Sequence, residues 1–94
     1  MKKNIAILLP YKDQFIRDNA GSASIWVKDF SKNSKFKKNT TIFGYTSYVN
    51  KVFNNFKYVN LKFSNFGLQS KNLQYVNKFI DVLRKKKFSL IEIH

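Results

Sequence analysis

The sequence predicts an α/β fold: a four-stranded, open, all-parallel sheet with helices packed on both faces. Three observations lead there. Ile5 to Leu9 is a continuous apolar run, the pattern of a central strand covered on both faces, and Pro10 ends it. The hydrophobic period then switches repeatedly, giving the order β-α-β-β-α-β. Strands interleaved with helices favour parallel pairing through right-handed crossovers. Two such crossovers leaving the first strand in opposite directions give the strand order 3-2-1-4, with the first strand central and the last at an edge.

Each element has its own justification. Tyr11 to Ala20 is a polar loop carrying Lys12, Asp13, Arg17 and Asp18. Ala23, Trp26, Val27 and Phe30 recur at helical spacing, so a first helix is predicted over Ser22 to Ser34, with Trp26 and Phe30 buried against the sheet. A basic connector, NSKFKKN, leads to the β-branched and aromatic strand Thr40 to Tyr45. TSYVNKVFNNF reads as a loop or one irregular helical turn. In KYVNLKF, Val59, Leu61 and Phe63 alternate with Tyr58, Asn60 and Lys62, as in a half-buried strand. Ser70 is a cap for a second helix, whose apolar face holds Leu73, Val76, Ile80 and Leu83, widened by Tyr75 and Phe79. Arg84 to Lys87 close it, where cations suit the negative end of the helix dipole. FSLIEIH is a last apolar strand, Ser89 to His94.

Composition bounds the function. Ninety-four residues make one domain at most, burying roughly 60–65% of the unfolded surface. Ten Phe and five Tyr supply a core despite a net charge of +13. With no cysteine there is no disulfide, thiolate nucleophile or thiolate metal site. One His and five acidic residues are too few for a convincing metal cluster, so no metal cofactor is expected. The apolar core of the basic amino terminus is too short for a signal or a membrane span, so the protein reads as cytoplasmic. Sixteen of the 18 cations are Lys, scattered among 11 Asn. That pattern suits solvated faces, and it also suits attraction to polyanions.

Gly21-Ser22 lies between the first strand and the first helix. Two readings are open. One is an ordinary helix start, capped by Ser22 or Asn19. The other is an anion site, since the first turn of a helix has unpaired N–H groups and glycine allows close approach. The G-x-G-x-x-G spacing of dinucleotide sites is absent.

IAILLPY, a polar loop, AGSASIWVKDFSK and the late FSLIEIH together resemble the amino-terminal part of family 4 glycosyltransferases of the GT-B fold. That family opens on a Rossmann-like strand with a Pro-Tyr-like turn and a Gly-Gly segment, and later shows a strand of the type Asp-Val-Ile-His-x-His. The resemblance spans essentially the whole chain. Here Gly21-Ser22 stands for Gly-Gly, Ser89 for the Asp and Glu92 for the first His, and His94 falls on the second. A subset of the family carries the Glu-x-His version.

The resemblance implies residues 1–94 of an incomplete, Rossmann-like, acceptor-side domain, inactive alone. The whole enzyme would move a sugar from a nucleotide-diphosphate donor to an acceptor glycan or lipid-linked acceptor, with retained stereochemistry and no essential metal. Gly21 and Ser22 would face the donor diphosphate, and His94 would orient the reacting sugar or acceptor. Glu92 could orient His94 only if strand twist brings the two together. In addition, Lys35, Lys37, Lys38 and Lys85 to Lys87 could face anionic lipid at the inner membrane surface. A different class of function is a small basic nucleic-acid-binding module, with Phe53, Phe56 and Tyr58 beside Lys51, Lys57 and Lys62 as a stacking platform. Against it, KYVNLKF lacks the RNP1 pattern, and no specific nucleic acid is expected.

Overall fold

The computed structural model describes residues 4–17, 21–35, 37–53, 55–62 and 70–94. In chain order the elements are β1 (Ile5–Leu8), α1 (Ser22–Lys32), β2 (Thr40–Gly44), β3 (Lys57–Asn60), α2 (Lys71–Lys85) and β4 (Leu90–Ile93). Short 3-10 turns at Lys37–Asn39 and Val49–Lys51 precede β2 and β3. The sheet is parallel throughout, in the order β3-β2-β1-β4. Ile7 of β1 lies between Ile42 of β2 and Glu92 of β4. The expected order and the central place of β1 are therefore both observed, in a Rossmann-like open sheet.

The pleat of β1 divides the core in two. Ala6 and Leu8 join Phe43, Leu61, Tyr75 and Phe79 on the α2 face. Ile7 and Leu9 join Phe15, Val27 and Ile42 on the α1 face. Successive residues of a strand point to opposite faces, so a run of apolar residues supplies both layers. Tyr75 locks α2 to the sheet by donating its hydroxyl to the Leu9 carbonyl at 2.6 Å. The Ser70 hydroxyl accepts from the Leu73 N–H at 3.2 Å, as the predicted cap requires.

The helix faces differ from expectation. Trp26 and Phe30 are not buried against the sheet: they are 51% and 58% exposed. Ser24, Val27 and Ser31 are the buried residues of α1 instead. Two serines with a valine between them form a slim stripe at i, i+3 and i+7, which seats the helix on β1 and β2 and turns the large rings outward. Those rings stack on each other at 5.1 Å and 6°. On α2 the stripe centres on Tyr75 and Phe79, while Leu73 and Ile80 are exposed.

Other bounds shift slightly. The first helix stops at Lys32, short of Ser34, and the last strand begins at Leu90. The strand in KYVNLKF ends at Asn60; Leu61 beyond it is buried, Val59 is 37% exposed, and Phe63 lies outside the described residues. The segment before it holds one irregular helical turn, as one of the two readings expected. It combines the 3-10 turn with an antiparallel bridge, Ile16 to Val52, that ties it to the β1–α1 loop.

Candidate functional site

β1 and β4 are neighbours, and the chain leaves β1 towards β2 on one side and reaches β4 on the other. This is a topological switch point, and ligands of open α/β sheets bind beyond the carboxyl ends of the strands there. The structure forms two adjoining concavities at this place. One is lined by Pro10, Tyr11, Lys12, Asn72 and His94. The other is lined by Tyr11, Lys12, Gln14, Tyr45, Thr46 and Ser47. Tyr11 and Lys12 are common to both, so one crevice crosses the carboxyl edge from β4 to β2.

His94 stands at the end of β4, its backbone N–H donating to the Leu8 carbonyl at 3.0 Å. Its Nε2 lies 2.8 Å from Glu92 Oε1. Strand alternation puts both side chains on the α1 face, and the local twist closes the remaining gap. With Nε2 donating to Glu92, Nδ1 of the neutral ring is an acceptor. The Trp26 ring flanks the imidazole at 5.2 Å. The pair can thus present an oriented imidazole to a polar ligand, beside one exposed aromatic surface.

The far side of the crevice is held by a polar network. The Thr46 hydroxyl donates to Gln14 Oε1 at 2.8 Å, and Asn60 brackets the Thr46 backbone, accepting from its N–H at 2.9 Å and donating to its carbonyl at 3.1 Å. Thr46 is buried, so each of these bonds replaces water that cannot reach it.

Gly21 is the residue before α1, in extended conformation, with no cap hydrogen bond from a side chain of its own. Asp13, from the β1–α1 loop, takes that role. Its carboxylate accepts the N–H groups of Ala23 and Ser24, both at 3.1 Å, and the Ser24 hydroxyl. The first turn of α1 therefore already holds an anion, supplied by the chain itself. A Cβ at residue 21 would overlap the Asp13 carboxyl carbon. Ser22 is the first residue of the helix itself and does not cap it. Asn19 lies outside the described residues, and the acceptor sits eight positions before Gly21. The Gly21 N–H itself turns back to the Gln14 carbonyl at 3.4 Å.

Of the predicted site residues, His94 lines the crevice, while Gly21 and Ser22 line neither of its two concavities. Sequence reasoning missed Asp13, Lys12, Asn72 and Thr46. Only the position of Lys12 and Asp13, just after the strand-ending Pro10, carried a signal for them. The aromatic platform takes another form: Phe53, Phe56 and Tyr58 pack around the buried Phe15, at ring separations of 4.9, 5.4 and 5.9 Å. Burial raises the Tyr58 and Tyr75 hydroxyls well above the ordinary tyrosine range.

Among the described residues, no three His, Cys, Asp or Glu side chains gather to hold a metal ion, and no helix is long and apolar enough to cross a membrane. No protein-family model matches the chain, and neither does any curated protein or solved structure.

Proposed function

We propose that the chain is the amino-terminal, acceptor-side part of a retaining glycosyltransferase of family 4 type. The whole enzyme moves a sugar from a nucleotide-diphosphate donor to an acceptor glycan or lipid-linked acceptor, and the chain alone is inactive. The observation that carries this reading is the Glu92–His94 contact of 2.8 Å at the switch point of the sheet. Glu-x-His at that strand end is the pattern the resemblance singles out, and the contact gives it a physical role. The carboxylate fixes the ring orientation, and the ring's other nitrogen faces a ligand.

Lys12 in the same crevice supplies a positive charge for phosphate or for a departing nucleotide. The exposed indole of Trp26 offers a sugar ring an apolar face next to the imidazole. Gly21 and Ser22 face the donor diphosphate in this reading, with Asp13 as the group that must yield. A diphosphate engages the helix start only when the Asp13 carboxylate leaves Ala23 and Ser24. The family pattern needs no metal.

The test is sugar transfer by the product of the complete reading frame. A labelled sugar moved from a nucleotide-diphosphate donor, with turnover lost in His94→Ala, is the expected result. A reading frame that closes at residue 94, or transfer that is indifferent to His94, would remove the basis for the proposal.

A further inference from the structure

The second charged feature of the molecule shares no lining residue with the crevice. Arg17, Lys28, Lys32 and Lys37 surround a hollow floored by Phe53 and Phe56. A second hollow, lined by Lys37, Lys38, Asn39, Asn55, Phe56 and Lys57, adjoins it. They share Lys37, Asn55 and Phe56, and so form one trough. Six cations from the β1–α1 loop, α1, the turn before β2 and the start of β3 converge on it, and among the described residues no carboxylate lines it. Asp29, exposed, lies 3.5 Å from Lys28. Asp13 is committed to the α1 cap and Glu92 to His94.

Gathering like charges in a concavity raises the energy of the free protein, and an anion relieves it. The shape and the rings say which anion. The Lys28 ammonium sits 5.0 Å over the Phe53 ring and the Lys37 ammonium 4.8 Å over Phe56. Lysines therefore cover these rings from above, while Phe15 meets both through edge-to-face contacts. Little ring surface is left for a base to stack on. A trough with cations along its walls is also unlike the flat or convex surface that meets a membrane.

We infer that this trough binds a linear oligophosphate, held through its charged oxygens alone. Lys28 and Lys32, one helical turn apart, and Lys37 and Lys38 beyond them would contact successive phosphates.

The probe is sodium tripolyphosphate, titrated into the intact chain. The triple variant Arg17→Gln/Lys28→Gln/Lys32→Gln removes three trough charges. Lys71→Gln/Lys78→Gln/Lys85→Gln removes three from α2, on the other face. The expected result is binding about tenfold weaker or worse in the trough variant and near wild-type in the α2 variant. Added salt should weaken the wild-type steeply. Equal loss in the two variants would overturn the proposal in favour of net charge. If the trough variant fails to fold, amide shifts of the wild-type decide: changes confined to the trough residues support the site, and changes spread over all lysines overturn it. Much tighter binding of an oligothymidine than of tripolyphosphate, or binding only to phosphatidylglycerol vesicles, would overturn it too.

Discussion

The carboxylate of Asp13 occupies the volume that a side chain at Gly21 would need. The two residues explain each other. Asp13 reaches the N–H groups of Ala23 and Ser24 because residue 21 has no Cβ, and the start of α1 is stable because Asp13 reaches it.

That mutual dependence predicts non-additivity. Asp13→Ala leaves the N–H and hydroxyl of the buried Ser24 without their acceptor, at a cost of about 1–3 kcal/mol. Gly21→Ala forces the carboxylate away and costs a comparable amount, about 1–3 kcal/mol. The double variant should be no less stable than Asp13→Ala alone, since the clash has lost its second partner. Urea midpoints of the four proteins measure this; summed losses in the double variant would show that the two residues act independently.

Why Asp13 was invisible in the sequence is instructive. Helix caps are sought at the residue before the helix, and here the cap arrives from a loop folded back by the turn at Pro10, where the Asp13 N–H meets the Pro10 carbonyl at 3.0 Å. β1 was legible because five apolar residues in a row have few other uses, and the strand order followed from crossover handedness. The buried face of α1 was not. Ser24 and Ser31 read as surface residues, yet their small size lets the helix approach the sheet, and Asp13 satisfies the Ser24 hydroxyl. Trp26 and Phe30 are left to stack on each other. Glu92 and His94 were legible as a pair on one face, but their contact depends on twist. Of the cationic trough, Lys37, Lys38 and Lys57 beside Phe53 and Phe56 were legible as basic or aromatic features, but their convergence with Arg17, Lys28 and Lys32 was not, because the residues span positions 17 to 57.

The buried hydroxyls of Tyr75 and the half-buried Tyr58, on opposite core layers, predict contrasting substitutions. Tyr75 donates a 2.6 Å hydrogen bond to Leu9, so Tyr75→Phe should cost about 1 kcal/mol by orphaning that carbonyl. The Tyr58 hydroxyl is buried with no partner among the described residues, and it lies against Gly44. Tyr58→Phe should therefore be neutral or slightly stabilising. Urea denaturation distinguishes the two, and a larger loss at Tyr58 than at Tyr75 would contradict the assignment.

The same hydroxyls set an alkaline limit. Both are raised by burial, with the neighbouring Tyr58 and Asp13 adding to the effect on Tyr75. In the unfolded chain a tyrosine ionises near its ordinary value of about 10, while in the folded chain it stays protonated. The unfolded state thus binds fewer protons above that pH, and stability falls as pH rises. The contribution is complete below about pH 10 and is lost progressively above it. Urea midpoints measured upward from about pH 9 should decline, and the double variant Tyr58→Phe/Tyr75→Phe should decline less steeply. Equal slopes would mean that other groups govern alkaline unfolding.

On the proposed reading, the pair at the switch point has a kinetic signature in the full-length protein. His94 is held by Glu92 at 2.8 Å and by its own N–H to Leu8, so its ring position is fixed from both ends of the residue. If it orients the reacting sugar or acceptor, His94→Ala should lower kcat by about a hundredfold and leave donor binding nearly unchanged, because misplacement acts on the reacting geometry. Glu92→Ala frees the ring without removing it, so it should lower kcat by less. Glu92→Gln retains an acceptor for Nε2 and should recover most of that loss. Steady-state kinetics with separate donor and acceptor titrations read these effects. A purely structural His94 would instead lower thermal stability in His94→Ala and Glu92→Ala alike, with kcat unchanged in the folded fraction and no rescue by glutamine.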